Sequence, residues 1–213
     1  MSRTLWDHPD WYDCHDNTSV AGPDREPEHY REFVIALPPV DATDHVVDVG
    51  AGTGKLSLLL ARAYPDVGLI TLVEPNERKL ERARARLAER IGDRVAAVRA
   101  TVGEGAPPPI GDATLAIVGS VLMPALLGRG RLAEGLAWAH RALTEVRALL
   151  RPSGWLYDVE TVAMPWDVGP GGADEPARRL TLLELTAAVE QAGYEGVECV
   201  YRFRDRVIVR ARR

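Results

Sequence analysis

From residue 45 onward, short apolar runs alternate along the chain with longer segments in which apolar residues recur every three or four positions. The short runs predict strands, and the longer segments predict helices. The predicted strands cover residues 45–49, 68–74, 94–100, 115–120, 155–162, 197–203 and 206–211. Apolar stripes predict helices after the first, second and fourth strands, and a further helix lies in the segment TLLELTAAVEQAGY.

This alternation of strands and helices, with continuously apolar strands, predicts a parallel sheet covered by helices on both faces. The last two strands are joined tightly around Arg204 and Asp205, so they must pair antiparallel. The predicted fold class is therefore α/β, with a doubly wound, mostly parallel seven-stranded sheet and a C-terminal antiparallel hairpin. Residues 1–44 are expected to form a cap on the substrate side with a first helix. Residues 45–213 form the core, with a lid-like loop at 163–179 that is rich in Gly and Pro.

Composition narrows the function classes. A chain of 213 residues can build one core without disulfides or metals. Its net charge of −5 argues against a nucleic-acid surface, and no apolar run reaches membrane-spanning length. Two cysteines far apart, with no metal-ligand spacing, fit free thiols in a reducing compartment. We therefore expect a cytoplasmic protein with a small-molecule substrate and with no nucleic-acid or membrane partner; the oligomeric state stays open.

The glycine-rich stretch VVDVGAGTGKLS follows the first predicted strand. A P-loop needs a glycine at the position of Val49 and Ser or Thr at the position of Leu56, so that loop is excluded. A dinucleotide fingerprint is disfavoured because its third glycine, Gly54, comes one position early after Gly50 and Gly52. What remains is a D-x-G-x-G-x-G turn, in which bare backbone can approach a ligand closely.

Two acids belong to this turn. Asp48 lies beside the glycines, and its negative charge suits an amine or a sulfonium better than a pyrophosphate. Glu74 ends the next strand in LITLVEPN, where a carboxylate can accept both hydroxyls of a ribose. The pair predicts a site for a positively charged nucleoside.

With VVDVGAGTG and LVEPN, the chain resembles the class I S-adenosylmethionine-dependent methyltransferases of the small-molecule type, over about residues 45–213. The segment ALLRPSGWLYDVE and the antiparallel finish resemble that family too. The resemblance implies S-adenosyl-L-methionine as cofactor. It also implies the cofactor-binding residues Tyr12, Asp48, Gly50, Ala51, Gly52, Glu74, Pro75, Thr101, Val102, Gly119 and Ser120.

Each of these residues has an expected role by resemblance. The glycine turn and Tyr12 would contact the methionine part, and Glu74 the ribose. The adenine would lie against Pro75 and the Thr101–Val102 edge, and a carbonyl at the end of the fourth strand would accept from the methionine amine. The chain departs from the family at Ala116, where many relatives carry an acid, and at Thr101, where many have Asp.

The candidate chemistry lies in DHPDWYDCHDN, where histidines stand among carboxylates and aromatic rings. His15, flanked by Asp13, is the predicted general base. Trp11, Glu160 and Trp166 are the predicted substrate contacts. Trp166 lies in the Gly-rich loop, where an aromatic ring can close over a flat molecule, and Glu160 lies near the carboxyl end of the fifth strand. No metal site is expected, since the spacing of His8, Cys14 and His15 matches no standard zinc pattern.

The predicted function is S-adenosylmethionine-dependent methyl transfer to an oxygen or nitrogen of a small molecule such as a secondary metabolite. Two alternatives stay open. One is an RNA methyltransferase, and the other is a non-catalytic binding protein with a methyltransferase fold. The second is favoured by Ala116, which stands where many relatives carry an acid.

Overall fold

The computed structural model describes residues 28–164 and 175–213. Its contacts divide the chain into two compact units, the first ending at Thr101 and the second running from Val102 to Arg213. Each unit contributes strands to a sheet and helices that cover them.

The first unit alternates helices and strands without exception. Its elements are α1 (Glu28–Ala36), β1 (His45–Val49), α2 (Lys55–Ala63), β2 (Leu69–Val73), α3 (Glu77–Ile91) and β3 (Val95–Val98). The strands pair in parallel in the order β3-β2-β1, with Asp48 opposite Leu72 and Val49 opposite Val73. Parallel pairing brings the carboxyl ends of the strands to one edge, which is where open α/β sheets bind ligands.

Helix α3 shows how the sequence fixes these elements. The Asn76 side chain accepts a hydrogen bond from the Lys79 amide and begins the helix. Its apolar positions Leu80, Ala83 and Leu87 are buried, while Arg84 on another face of the helix is exposed. The strand that precedes the helix therefore ends at a defined residue, and Glu74 lies directly after it.

The second unit opens on a parallel pair and ends in antiparallel strands. Its elements are β4 (Ala113–Gly119), α4 (Leu122–Leu127), α5 (Leu132–Leu149), β5 (Leu150–Thr161), α6 (Leu182–Gln191), β6 (Glu195–Phe203) and β7 (Arg206–Arg212). Strands β4 and β5 are parallel, whereas β7 pairs antiparallel with both β5 and β6. Helix α6 begins with a capping box formed by Thr181 and Glu184.

The predicted fold class is confirmed: the strands of the described residues form a seven-stranded, mostly parallel sheet with an antiparallel C-terminal hairpin. Two details differ from the sequence prediction. Helix α4 was not predicted, because it spans only six residues and contains Pro124. Strand β5 begins at Leu150 rather than at Trp155, with an irregular register around Ser153, whose φ is 66°.

The boundaries predicted at residues 44 and 45, and the lid-like role of residues 163–179, stay predictions. Around that loop, Ala163 bridges to Thr181 and Pro176 bridges to Arg131. Among the helices of residues 28–164 and 175–213, none has the length and apolar character to cross a membrane.

Candidate active site

The glycine turn after β1 closes against the end of β2. Gly50, Gly52 and Gly54 have φ values of 69°, 54° and 82°, a region that side chains rarely adopt. The amides of Gly50 and Ala51 both donate to the Val73 carbonyl, at 2.8 and 3.1 Å. The turn therefore has a fixed shape, and its backbone carries no bulky side chain.

Glu74 is hydrogen-bonded to this turn. One carboxylate oxygen accepts from the Gly52 amide at 3.0 Å, and the other accepts from the Asn76 amide at 2.9 Å. The side chain is buried, with 7% of its surface exposed. Its position follows from two local causes: β2 ends at Val73, and Asn76 begins the next helix. The carboxylate is therefore held at the strand end by the chain on both sides of it.

Asp48 is buried beside the turn and is bound by Ser57 of α2, whose hydroxyl donates to the carboxylate at 2.5 Å. Burial raises the pKa of Asp48 to about 7, the Ser57 hydrogen bond lowers it in part, and the nearby Glu74 charge adds to the rise. The side chains of Asp48 and Glu74 therefore interact electrostatically from the ends of neighbouring strands.

The remaining predicted cofactor residues differ in exposure. In the first unit, Pro75 and Thr101 are exposed after β2 and β3. In the second unit, Val102 is buried, whereas Gly119 and Ser120 are half-buried at the end of β4. Ser120 has a φ of 54°, and its amide donates to the Val159 carbonyl at 2.8 Å. Its backbone is therefore bent out of the strand where the resemblance places a carbonyl for the methionine amine.

Glu160 lies near the carboxyl end of β5 in a mostly apolar cleft of the second unit. One oxygen accepts from the Leu122 amide at 2.7 Å, at the start of α4. Burial raises the pKa of Glu160 to about 7, against the opposing effect of nearby backbone amides. The cleft is lined by Leu122, Met123, Leu126, Glu160, Thr161, Val162, Leu180 and Leu185. Glu160 is thus a buried carboxyl with a raised pKa beside a small, mostly apolar cavity.

Asp158, two residues before Glu160, is an unusual neighbour. Its side chain is fully buried, and neither carboxylate oxygen has a hydrogen-bond partner among residues 28–164 and 175–213. Burial, followed by the Glu160 charge, raises its pKa well above the ordinary value. Because an ionised carboxylate in such surroundings is costly, burial favours the neutral form of Asp158.

Five predicted residues, Trp11, Tyr12, Asp13, His15 and Trp166, lie outside the described residues. The rejected metal candidates His8 and Cys14 lie outside them too. Within residues 28–164 and 175–213, no group of three or more His, Cys, Asp or Glu side chains could hold a metal ion.

Sequence reasoning missed the groups that hold these acids. Ser57 lies nine residues from Asp48 and reads as one more helix position. The Asn76 amide could have been found, because Asn before a helix in LVEPN is a capping signal. That Asp158 has no hydrogen-bond partner within the described part of the chain leaves no mark in the sequence, since only tertiary packing decides it.

Part of the chain matches a known protein family. Residues 46–154, about half of the chain, match the family model described as a methyltransferase domain. The chain belongs to this family. The match confirms the predicted family and S-adenosylmethionine as cofactor. No curated protein matches the chain by sequence.

Several solved structures share the fold. Human N-acetylserotonin methyltransferase in complex with SAM is 16% identical, with a TM-score of 0.64, over 87% of this chain and 52% of that one. The pyocyanin biosynthetic protein PhzM is 19% identical, with a TM-score of 0.67, over 87% and 54%. The mitomycin 7-O-methyltransferase MmcR is 20% identical, with a TM-score of 0.60, over 86% and 53%. The chain thus spans about half the length of these proteins.

Proposed function

We propose that the chain transfers a methyl group from S-adenosylmethionine to an oxygen or nitrogen of a small molecule. The observation that carries this proposal is the Glu74 carboxylate bound to the Gly52 amide of the glycine turn, in a methyltransferase domain. The structural neighbours support a small substrate, since they include an N-acetylserotonin methyltransferase and a mitomycin 7-O-methyltransferase.

The residues around the turn fit the cofactor. The Glu74 carboxylate, held by the Gly52 and Asn76 amides, is the proposed acceptor of hydrogen bonds from the ribose hydroxyls. The bare backbone of Gly50 and Gly52 allows close approach of the methionine part, with Ala51 between them and the Asp48 charge nearby. When bound, S-adenosylmethionine supplies a methyl group on a positively charged sulfur. Tyr12, Pro75, Thr101, Val102, Gly119 and Ser120 complete the proposed cofactor-binding set.

Glu160 is the described residue best suited to accept the proton that the substrate loses. Its pKa of about 7 leaves part of the population ionised at neutral pH, which suits a general base. The surrounding Leu122, Leu126 and Leu180 would keep water away from this carboxyl. The proton would move from the substrate oxygen or nitrogen to the Glu160 carboxylate as the new bond to carbon forms.

His15, with Asp13 near it in the sequence, remains the other proposed general base besides Glu160. The aromatic residues Trp11 and Trp166 are the proposed contacts that would cover the substrate. Substitution of each residue in turn would show which of the two, His15 or Glu160, accepts the proton. Glu160→Gln should abolish turnover and leave cofactor affinity intact if Glu160 accepts the proton, and His15→Ala should do so if His15 is the base.

The first test is calorimetric titration of the whole chain with S-adenosylhomocysteine. Specific binding heat supports the proposal, and no heat would favour the non-catalytic binding protein. The second test incubates the protein with methyl-labelled S-adenosylmethionine and a panel of small phenols and amines, beside total RNA as a separate sample. Label in the small molecules supports the proposal, whereas label in RNA alone would replace it with RNA methylation.

A further inference from the structure

The loop that begins at Val102 is attached to helix α5 (Leu132–Leu149) through one buried carboxylate. Glu145 accepts a hydrogen bond from the Gly103 amide at 2.6 Å and another from the Gly105 amide at 2.8 Å, one on each oxygen. Only 7% of Glu145 is exposed, and its helix neighbours Ala142, Val146 and Leu149 are buried apolar residues. The Glu145 carboxylate is therefore buried on an apolar helix face and is hydrogen-bonded to the loop.

The backbone of the loop is shaped around this acid. Gly103 and Gly105 have φ values of 80° and 105°, so their amides can converge on a single anion. A Cβ atom on Gly103 would lie 2.4 Å from the indole nitrogen of Trp138, which leaves no space for a side chain. The loop therefore packs directly on α5 as well as being hydrogen-bonded to it.

A third contact holds the residue between the two glycines. Arg129 lies over the Trp138 ring, 5.1 Å from its centroid, and pairs with Glu104 at 3.6 Å. That ion pair is partly exposed and contributes little by itself. Together, however, the contacts engage three successive residues of the loop from one side.

These contacts point to more than packing. A buried carboxylate is a poor way to gain stability, because its desolvation offsets much of its hydrogen-bond energy. It is a good way to hold one backbone shape, since two charge-assisted hydrogen bonds fix two amides at once. Val102, buried directly before Gly103, is the residue that the proposed function places at the adenine edge of the cofactor.

We propose that Glu145 is a positioning residue for the cofactor, because its carboxylate holds the Gly103 and Gly105 amides and so keeps Val102 in the position that contacts adenine. This inference rests on the proposed function. It assigns to α5 a role in cofactor affinity that involves no direct contact with the cofactor.

The experiment compares the whole chain with Glu145→Gln and Glu145→Ala, with Glu134→Gln as the matched control. Glu134 is an exposed acid on the same helix, so its substitution changes the charge equally. Calorimetry with S-adenosylhomocysteine should show affinity lowered about tenfold or more by Glu145→Ala, the size expected for lost hydrogen bonds to a charged group. Glu145→Gln should lose less, because its amide oxygen can still accept one bond, and Glu134→Gln should match the unaltered chain.

Amide hydrogen exchange supplies a readout that is independent of the cofactor. Exchange at Gly103 and Gly105 should be faster in both Glu145 variants, and S-adenosylhomocysteine should slow it in the unaltered chain. Unchanged exchange in the variants, or a lower melting temperature with unchanged affinity, would overturn the positioning role alone. If the unaltered chain binds no S-adenosylhomocysteine, the proposed function fails together with it. Should neither variant fold, the effect of the ligand on exchange in the unaltered chain decides.

Discussion

The Gly52 amide donates a hydrogen bond to the Glu74 carboxylate at 3.0 Å, across 22 positions of the chain. The glycine turn after β1 and the acid after β2 are therefore one hydrogen-bonded unit rather than two separate sequence signals. The Asn76 amide adds a second bond from the next helix. The two amide hydrogen bonds hold the Glu74 carboxylate in place before a ligand binds. A ligand that leaves both bonds intact therefore binds with a smaller loss of side-chain conformational entropy.

Glu74→Ala should weaken binding of S-adenosylhomocysteine by more than tenfold, because the ribose would lose a charged acceptor of its hydroxyls. Calorimetry measures the affinity. Glu77→Ala is the matched control, since that acid lies three positions later with 64% of its side chain exposed. Equal affinity of Glu74→Ala and the unaltered chain would remove the ribose assignment.

Ser57→Ala should destabilise the fold by about 1–3 kcal/mol at pH 8, the range of a hydrogen bond to a charged group. The loss should be smaller at pH 5.5, because Asp48 has a pKa of about 7 and is then protonated. Urea unfolding at both values measures the difference.

The control for Ser57 is the same substitution made in an Asp48→Asn background. There the charge is absent at every pH, so the pH dependence of the loss should vanish. A loss that keeps its pH dependence without the Asp48 carboxyl would show that the effect comes from another group.

Asp158→Asn should stabilise the protein, and more so at pH 8 than at pH 5. The raised pKa means that the folded state keeps a proton that the unfolded state releases above about pH 4. The folded state therefore loses stability as the pH rises through this window, by up to about 1.4 kcal/mol per pH unit. The neutral amide does not ionise, so this contribution to the slope disappears.

Chemical unfolding from pH 5 to pH 8 measures the slope for Asp158→Asn and for Asp66→Asn, an exposed aspartate that serves as control. Parallel pH slopes in Asp158→Asn and the unaltered chain would mean that Asp158 ionises in the fold and has a partner that the packing supplies.

Much of the fold could be predicted because its causes are local. Strand β1 has the predicted bounds, and the hairpin around Arg204 and Asp205 follows from a connection too short for a helix. The long β5 could not be bounded, because RPSG reads as a turn while Ser153 adopts a left-handed backbone inside the strand. Pairing with β4 and β7 overrides the local preference there.

The site divides in the same way. The positions of Asp48 and Glu74 at strand ends could be read from the sequence, since each follows an apolar run. Their hydrogen-bond partners could not be read so easily, and neither could the contact of Glu145 with Gly103, which lie 42 positions apart. Such pairs depend on how a helix docks on a loop, and no spacing rule in one sequence expresses that.

The start of helix α6 offers a test of the second unit. Arg178 donates to both oxygens of Glu184 at 2.8 Å, and Glu184 also closes the capping box with Thr181. The Arg178 hydrogen bonds, then those from Thr181, lower the pKa of Glu184 to about 2. Glu184→Gln should therefore destabilise the fold by about 1–2 kcal/mol at pH 7, the size of a lost helix cap. Because the pKa is lowered, this stabilisation is complete above about pH 4.5 and fades as the pH falls towards 2, so the loss on substitution should shrink in acid.

Urea unfolding at pH 7 and pH 3 measures the loss of stability in Glu184→Gln at both values, with Glu190→Gln, an exposed acid on the same helix, as control. Equal losses for the two glutamates at pH 7 would show that the Arg178 contacts add nothing beyond surface charge.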